Sequence, residues 1–341
     1  MVMILNALSI TTIFVGIVSA VLMAWGGITS SLLSWRWGKA TTTEERTKLE
    51  DRSYLVLLIA VVILVVRLLN WPLFYGTLQS FIPDIEGAMC IFGVTQVRPV
   101  FTKFQESLKP IVFFLIGAWI LVHMLDRATR TSPLMRRKLI FLSILSIFVV
   151  VDSIGDAVLM MTIRPGAVVS CCTTVTDILA RPTKTTPESI LGPGYAHILE
   201  ISYFVGNFVL IGLVGFMLWG KKLETPSRRK GIPLGLIFLF AIVNGFIFVL
   251  SQIETLAPKI MHLPYHHCLY CIWQYVPDSI AMYLFFIIGT FAVGWGFTAD
   301  AIGRKGEAAE ILPRYLKGIY GVALFCLSAS LVMVIIHLVV G

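Results

Sequence analysis

The sequence predicts an all-α fold, a polytopic membrane bundle of about eight transmembrane helices built as a single integral membrane domain over residues 1–341. Three observations carry that prediction. Charged residues make up 13% of the chain, about half the share of a water-soluble domain. Mean hydropathy is +0.87. Apolar runs of about 20 residues, enough to cross ~30 Å of hydrocarbon, recur along the whole chain and leave no room for a soluble domain.

The runs fall at about 7–34, 54–82, 108–126, 138–163, 196–220, 232–254, 276–299 and 318–340. The first opens on Met1-Val2-Met3-Ile4-Leu5-Asn6. It lacks the basic start of a signal peptide and exceeds the usual apolar region of about 7–15 residues, so a retained helix is expected. Gly26-Gly27 within it, like Gly294 in the seventh run, would let neighbouring helices approach. The second run carries Arg67 near its midpoint and Asn70 on the same helical face. The third carries His123 near its cytoplasmic end, without an evident axial partner for a metal. The fourth carries Asp152 and Asp156 one turn apart, at a depth that pairs Asp152 with Arg67. His197 opens the fifth run and Glu200 follows it; Glu254 ends the sixth; His337 lies near the outer end of the eighth. Trp35, Trp37, Trp71, Tyr75, Trp273 and Tyr275 lie near helix ends, as interfacial belts require.

Basic residues set the orientation. The connections after helices 1, 3, 5 and 7 hold 19 Lys and Arg, those after helices 2, 4 and 6 only 7, among them Lys103 and Lys109. Lys and Arg gather on the cytoplasmic side, so both termini and the less basic loops are expected outside, in a cell inner (cytoplasmic) membrane facing the periplasm or exterior. The net charge of +8 is then mostly an orientation signal. No basic patch interleaved with readers of bases is present, so no nucleic-acid partner is expected. Membrane lipid and periplasmic or membrane redox proteins are the expected partners.

That orientation puts five of the six cysteines on one face: Cys90, Cys171, Cys172, Cys268 and Cys271, with Cys326 in an apolar run. Cys268 and Cys271 are two residues apart, just before the seventh helix, and follow His262, His266 and His267. The spacing serves a structural disulfide, a redox-active pair or two metal ligands. Adjacent Cys171 and Cys172 would form a strained bridge with each other, so other partners are expected for them. An odd outer count leaves one thiol over. His197 and His337, on different helices at similar depth, have the placement of a haem b clamp. Arg67, Asp152, Asp156 and Glu200 suit either buried ion pairs or a proton route and quinone-headgroup pocket.

The stretch Cys268-Leu269-Tyr270-Cys271-Ile272-Trp273-Gln274 resembles the Cys-x-x-Cys-Ile-aromatic-Gln segment of bacterial inner-membrane disulfide-bond oxidases. Those thiol:quinone oxidoreductases pass electrons from periplasmic thiols to bound quinone. The likeness covers about seven residues; Tyr275 stands where a basic residue usually follows the Gln, and eight helices stand where that family has four. Separately, the order Cys…Cys-Cys…Cys-x-x-Cys resembles the iron–sulfur cysteine domain of heterodisulfide-reductase-type proteins, with helix pairs inserted between its elements.

The leading expectation is a membrane redox protein passing electrons between the outer Cys/His centre and quinone or a partner subunit. In it Cys268 and Cys271 shuttle, Cys171, Cys172 and Cys90 relay, and Asp156 or Glu200 handles protons. The rival is a non-enzymatic subunit of a respiratory or metal-handling complex, holding a metal, an iron–sulfur cluster or haem on Cys90, Cys171, Cys172, Cys268, Cys271, His262, His266 and His267. A transporter built on Arg67 and Asp152 is a third expectation. It is disfavoured by the lack of visibly broken helices.

Overall fold

The computed structural model describes residues 6–164, 166–170, 185–219 and 231–340. Among them, eight helices are long and apolar enough to cross a membrane, the all-α membrane bundle that hydropathy predicts. The residue contacts divide the chain into two compact units: Met1–Ser170 with Lys305–Ala308, and Cys171–Arg304 with Ala309–Gly341.

The first unit holds α1 (Ala7–Lys39), α2 (Thr43–Ser80), the short α3 (Ile91–Thr95), α4 (Pro99–Arg127) and α5 (Met135–Thr162). Asn6 starts α1 by accepting from the Leu8 amide at 3.0 Å. Thr42 and Glu45 start α2 with a capping box, each side chain satisfying an amide the helix leaves open. Pro99 sits in the first turn of α4, where its missing N–H costs nothing. These caps lie outside the apolar runs. The second and third spans, α2 and α4, therefore begin about ten residues earlier than hydropathy places them, because the hydrogen-bond ladder continues past the hydrocarbon until a cap stops it. Lys103 and Lys109, counted above as loop cations, accordingly belong to α4, which lowers the outer basic count and preserves the asymmetry.

α1 packs along α5 at close range. A Cβ on Gly16 would stand 2.8 Å from the Ser153 carbonyl, and one on Gly27 would overlap the Ser146 hydroxyl; Gly26 has nothing within 4 Å. Only the second glycine of the expected pair serves packing. The core of this unit gathers Met23, Val56, Leu64, Val112, Leu142 and Trp119, and the Trp119 indole donates to the Lys138 carbonyl at 3.0 Å. Asp126 closes the turn between α4 and α5, pairing with Lys138 at 2.6 Å and accepting from the Leu134 amide at 2.8 Å. Between α2 and α3, Glu86 forms an isolated bridge with Val168. Gly87 allows it, with φ +82° and the Val169 carbonyl where a Cβ would go.

The second unit holds α6 (Thr186–Leu191), α7 (Tyr195–Trp219), α8 (Gly231–Ser251), a π-helical turn over Gln252–Leu256, α9 (Ala257–Ile260), α10 (Leu269–Tyr275), α11 (Ser279–Gly303) and nearly all of α12 (Ala308–Val340). Stacked Phe248 and Phe286, 3.7 Å between centroids, join α8 to α11. Buried Asn244 donates to Asn207 at 3.3 Å between α8 and α7, and Ser330 donates to the Met282 carbonyl at 2.9 Å between α12 and α11.

Candidate functional site

Two constellations stand out, one in each unit. In the first unit, three helices converge on a buried cluster of charges. Each supplies two residues at i,i+3 or i,i+4 spacing, so that both share a face: Arg67 and Asn70 from α2, Gln105 and Lys109 from α4, Asp152 and Asp156 from α5. Asp156 Oδ2 accepts from Arg67 Nη2 at 2.9 Å and Asn70 Nδ2 at 3.0 Å. Its Oδ1 accepts from Gln105 Nε2 at 3.0 Å and from Lys109 Nζ. Asp152 Oδ1 accepts from Lys109 Nζ at 2.8 Å, and its Oδ2 pairs with Arg67 Nη2. All six residues are buried. Two cations face two carboxylates, so the cluster is charge-balanced, the condition under which ionised groups survive in hydrocarbon.

Arg67 and Asp152 thus meet as their depth predicts. Gln105 was missed because hydropathy starts the third helix at about residue 108, and Lys109, at the very edge of that run, was counted with the loop cations. Gln105 can reach Asp156 only because residue 155 is glycine: a Cβ there would overlap the Gln105 amide. Arg67 Nε and Nη1, Asn70 Oδ1 and Gln105 Oε1 find no protein partner. A cavity of about 10 Å³ lined by Arg67, Asn70, Lys109, Asp152, Trp71 and Phe113 adjoins them. That is about the room of one water molecule; small-molecule pockets run to at least ~300 Å³.

In the second unit, the segment after the sixth span carries Cys268 and Cys271. Cys268 caps α10 and Cys271 lies in its first turn, so the pair opens a short helix of its own rather than the seventh span. Both side chains are buried, and their sulfurs lie within 4.8 Å of one another. No histidine among the described residues joins both sulfurs within that radius. The three histidines have separate places: His262 is exposed with φ +56°, His266 is buried, and His267 is half-buried.

His267 is anchored by a break in the sixth span that hydropathy does not reveal. In the π turn the Ala257 amide bonds to the Gln252 carbonyl, five residues back. The next amide in that register would serve the Ile253 carbonyl, but residue 258 is proline and has no N–H. His267 Nδ1 occupies the vacated position, 2.9 Å from the Ile253 oxygen. A carbonyl only accepts, so Nδ1 carries the hydrogen and Nε2 of the neutral ring holds a free lone pair. The π turn is held from the other side as well, where Tyr283 OH donates to Gln252 Oε1 at 3.0 Å.

Cys90 is buried at the start of α3 in the first unit. Cys171 and Cys172 lie outside the described residues. Glu200 binds Lys259 Nζ through both oxygens, at 2.7 and 2.8 Å. Glu254 belongs to the π turn and accepts from Tyr195 OH at 3.2 Å. His197 is exposed, and His337 Nε2 lies 3.1 Å from Asp278 Oδ2. His123 stacks on Trp119, 5.2 Å between centroids. Comparison with family models, curated proteins and solved structures yields no match for this chain.

Proposed function

We propose that the chain is a membrane redox protein in which Cys268 and Cys271 cycle between dithiol and disulfide, with membrane quinone as the electron acceptor. The observation that carries the reading is the pair of buried sulfurs within 4.8 Å at one end of a short helix. At that separation, side-chain rotation brings the sulfurs to the ~2.05 Å of a disulfide. The chemistry balances. Two S–H bonds break, one S–S bond forms, and the two electrons and two protons released convert a quinone to a quinol. His267, fixed by Ile253 with a free Nε2, is the proton acceptor nearest in sequence to Cys268. The basic-residue asymmetry would set this segment on the periplasmic or outer face, where disulfides persist. The charge cluster has no part in this reading, since its adjoining cavity has room for about one water.

The test is thiol counting by alkylation, before and after reduction, together with the rate at which reduced protein consumes a soluble quinone analogue. Oxidation should protect Cys268 and Cys271 together, and Cys268→Ser should abolish quinone reduction. Full quinone reduction by that variant would sink the proposal. Stoichiometric metal or visible absorption in the purified protein would turn it toward a cofactor-holding subunit.

A further inference from the structure

We propose that the junction of α1 and α2 is a binding site for the phosphate of an anionic phospholipid headgroup. A cavity of about 300 Å³ opens there, at the lower end of the range for small-molecule sites. Arg36 and Lys39 line it from the end of α1, Lys48 and Arg52 from the start of α2, with Glu45 and Leu49.

Four cations therefore face one carboxylate, and that carboxylate is already engaged. Glu45 Oε2 accepts from the Thr41 and Thr42 amides at 3.1 and 3.4 Å, which fixes the three-residue turn and the shape of the cavity. Lys48 shares its charge with Glu44 at 2.6 Å on the outer face of α2. Lys39 Nζ sits 3.6 Å above the Trp35 ring, which positions it without neutralising it. Arg36 and Arg52 have no carboxylate partner among the described residues. Guanidinium groups match phosphate oxygens in a planar fork, so the two unneutralised arginines are the groups that would hold the phosphate. The guanidinium of a third, Arg136, packs 3.2 Å from the place of a Gly38 Cβ.

Depth selects the source of the phosphate. The apolar run of α1 ends at about residue 34 and that of α2 begins at about residue 54, so Arg36 and Arg52 each stand about two residues outside the runs. That is the headgroup layer of a bilayer, and the indoles of Trp35 and Trp37 belong at the same level. A basic pocket between helix ends at this depth meets a lipid phosphate attached to its acyl chains, whereas a free phosphate ion gains nothing from the neighbouring hydrocarbon.

The experiment uses full-length protein in neutral detergent, titrated with phosphatidylglycerol, phosphatidylcholine or inorganic phosphate, with bound lipid counted by native mass spectrometry. Phosphatidylglycerol should be retained where phosphatidylcholine is not, and R36Q/R52Q should weaken its binding by about thirty-fold, the loss of two cations near a phosphate. R46Q/R130Q, which removes as much charge outside the cavity, should leave binding unchanged. Should R36Q/R52Q fail to fold, R36Q and R52Q made singly must each weaken binding by about five-fold, the loss of one cation near a phosphate. Equal binding of the two lipids, an equal loss in R46Q/R130Q, or unchanged binding in R36Q/R52Q or in its folded single variants would overturn the site. Displacement of the lipid by inorganic phosphate alone would overturn its assignment to lipid.

Discussion

Replacing Asp156 by asparagine keeps the shape of a buried side chain and removes the charge on which two cations converge. The carboxylate accepts on both oxygens: Lys109 and Gln105 donate to Oδ1, Arg67 and Asn70 to Oδ2. An amide has one acceptor oxygen and one NH2 group. Whichever way the new amide turned, its NH2 would face one of those two pairs of donors. The cluster would also hold Arg67 and Lys109 against Asp152 alone, a net positive charge with room for about one water beside it. Removing one partner of a buried ion pair costs about 3–5 kcal/mol, a large share of a typical ~5–15 kcal/mol stability.

Lys109→Met alone should cost as much, for the opposite imbalance. Lys109→Met with Asp156→Asn restores neutrality, with Arg67 facing Asp152. The double variant should therefore lose at least ~2 kcal/mol less than the sum of the single losses, a coupling in the range measured for directly interacting residues. The assay is reversible unfolding of the purified protein in mixed micelles, with all four forms of the cycle measured under one condition. An additive cycle, or a loss below ~1 kcal/mol in Asp156→Asn, would refute the claim that charge balance holds these three helices together.

Two further predictions rest on packing and on backbone satisfaction. Gly16→Ala drives a methyl against the Ser153 carbonyl and should destabilise the first unit by about 1–3 kcal/mol, while Gly26→Ala, with open space around it, should be neutral in the same unfolding assay. His267→Ala leaves the Ile253 carbonyl without its partner and should cost about 1–3 kcal/mol. Adding Pro258→Ala supplies the missing N–H and should recover much of that loss; no recovery would refute the account of the π turn.

Hydropathy and charge made most of the fold legible. Lipid-facing surface is a property of composition along each segment, so eight spans can be counted without knowing how they pack. Helix ends were less legible, because a Thr42–Glu45 capping box or a first-turn Pro99 continues a helix through polar sequence that a hydropathy window reads as loop. The misplaced start of α4 hid a third of the charge cluster, two residues of six. Arg67, Asp152 and Asp156 lay inside apolar runs and stood out; Gln105 lay where a loop was expected, and Lys109 at the edge of the run was counted with that loop. Two signals were present in the sequence. Pro99 marks a helix start, which puts Gln105 and Lys109 one turn apart on one face. One arginine against two buried aspartates leaves a negative charge that hydrocarbon does not tolerate, so a further cation at that depth was required.

The same reasoning explains why the environment of the cysteine pair was harder to read than the pair itself. Two cysteines at this spacing announce themselves in sequence, but what holds them depends on one backbone carbonyl. Pro258 is four residues beyond Glu254, where the apolar run stops, and would pass for an ordinary helix terminator. The structure instead carries the helix past that point through a π turn, and the proline leaves the Ile253 carbonyl for a side chain fourteen residues on. His267 is the residue that reaches it, which ties the cysteine segment to the end of the sixth span. A proline next to a histidine-and-cysteine segment is therefore a sharper signal than either alone: the proline creates a half-buried open acceptor, and the histidine is a donor able to meet it while keeping its other ring nitrogen free.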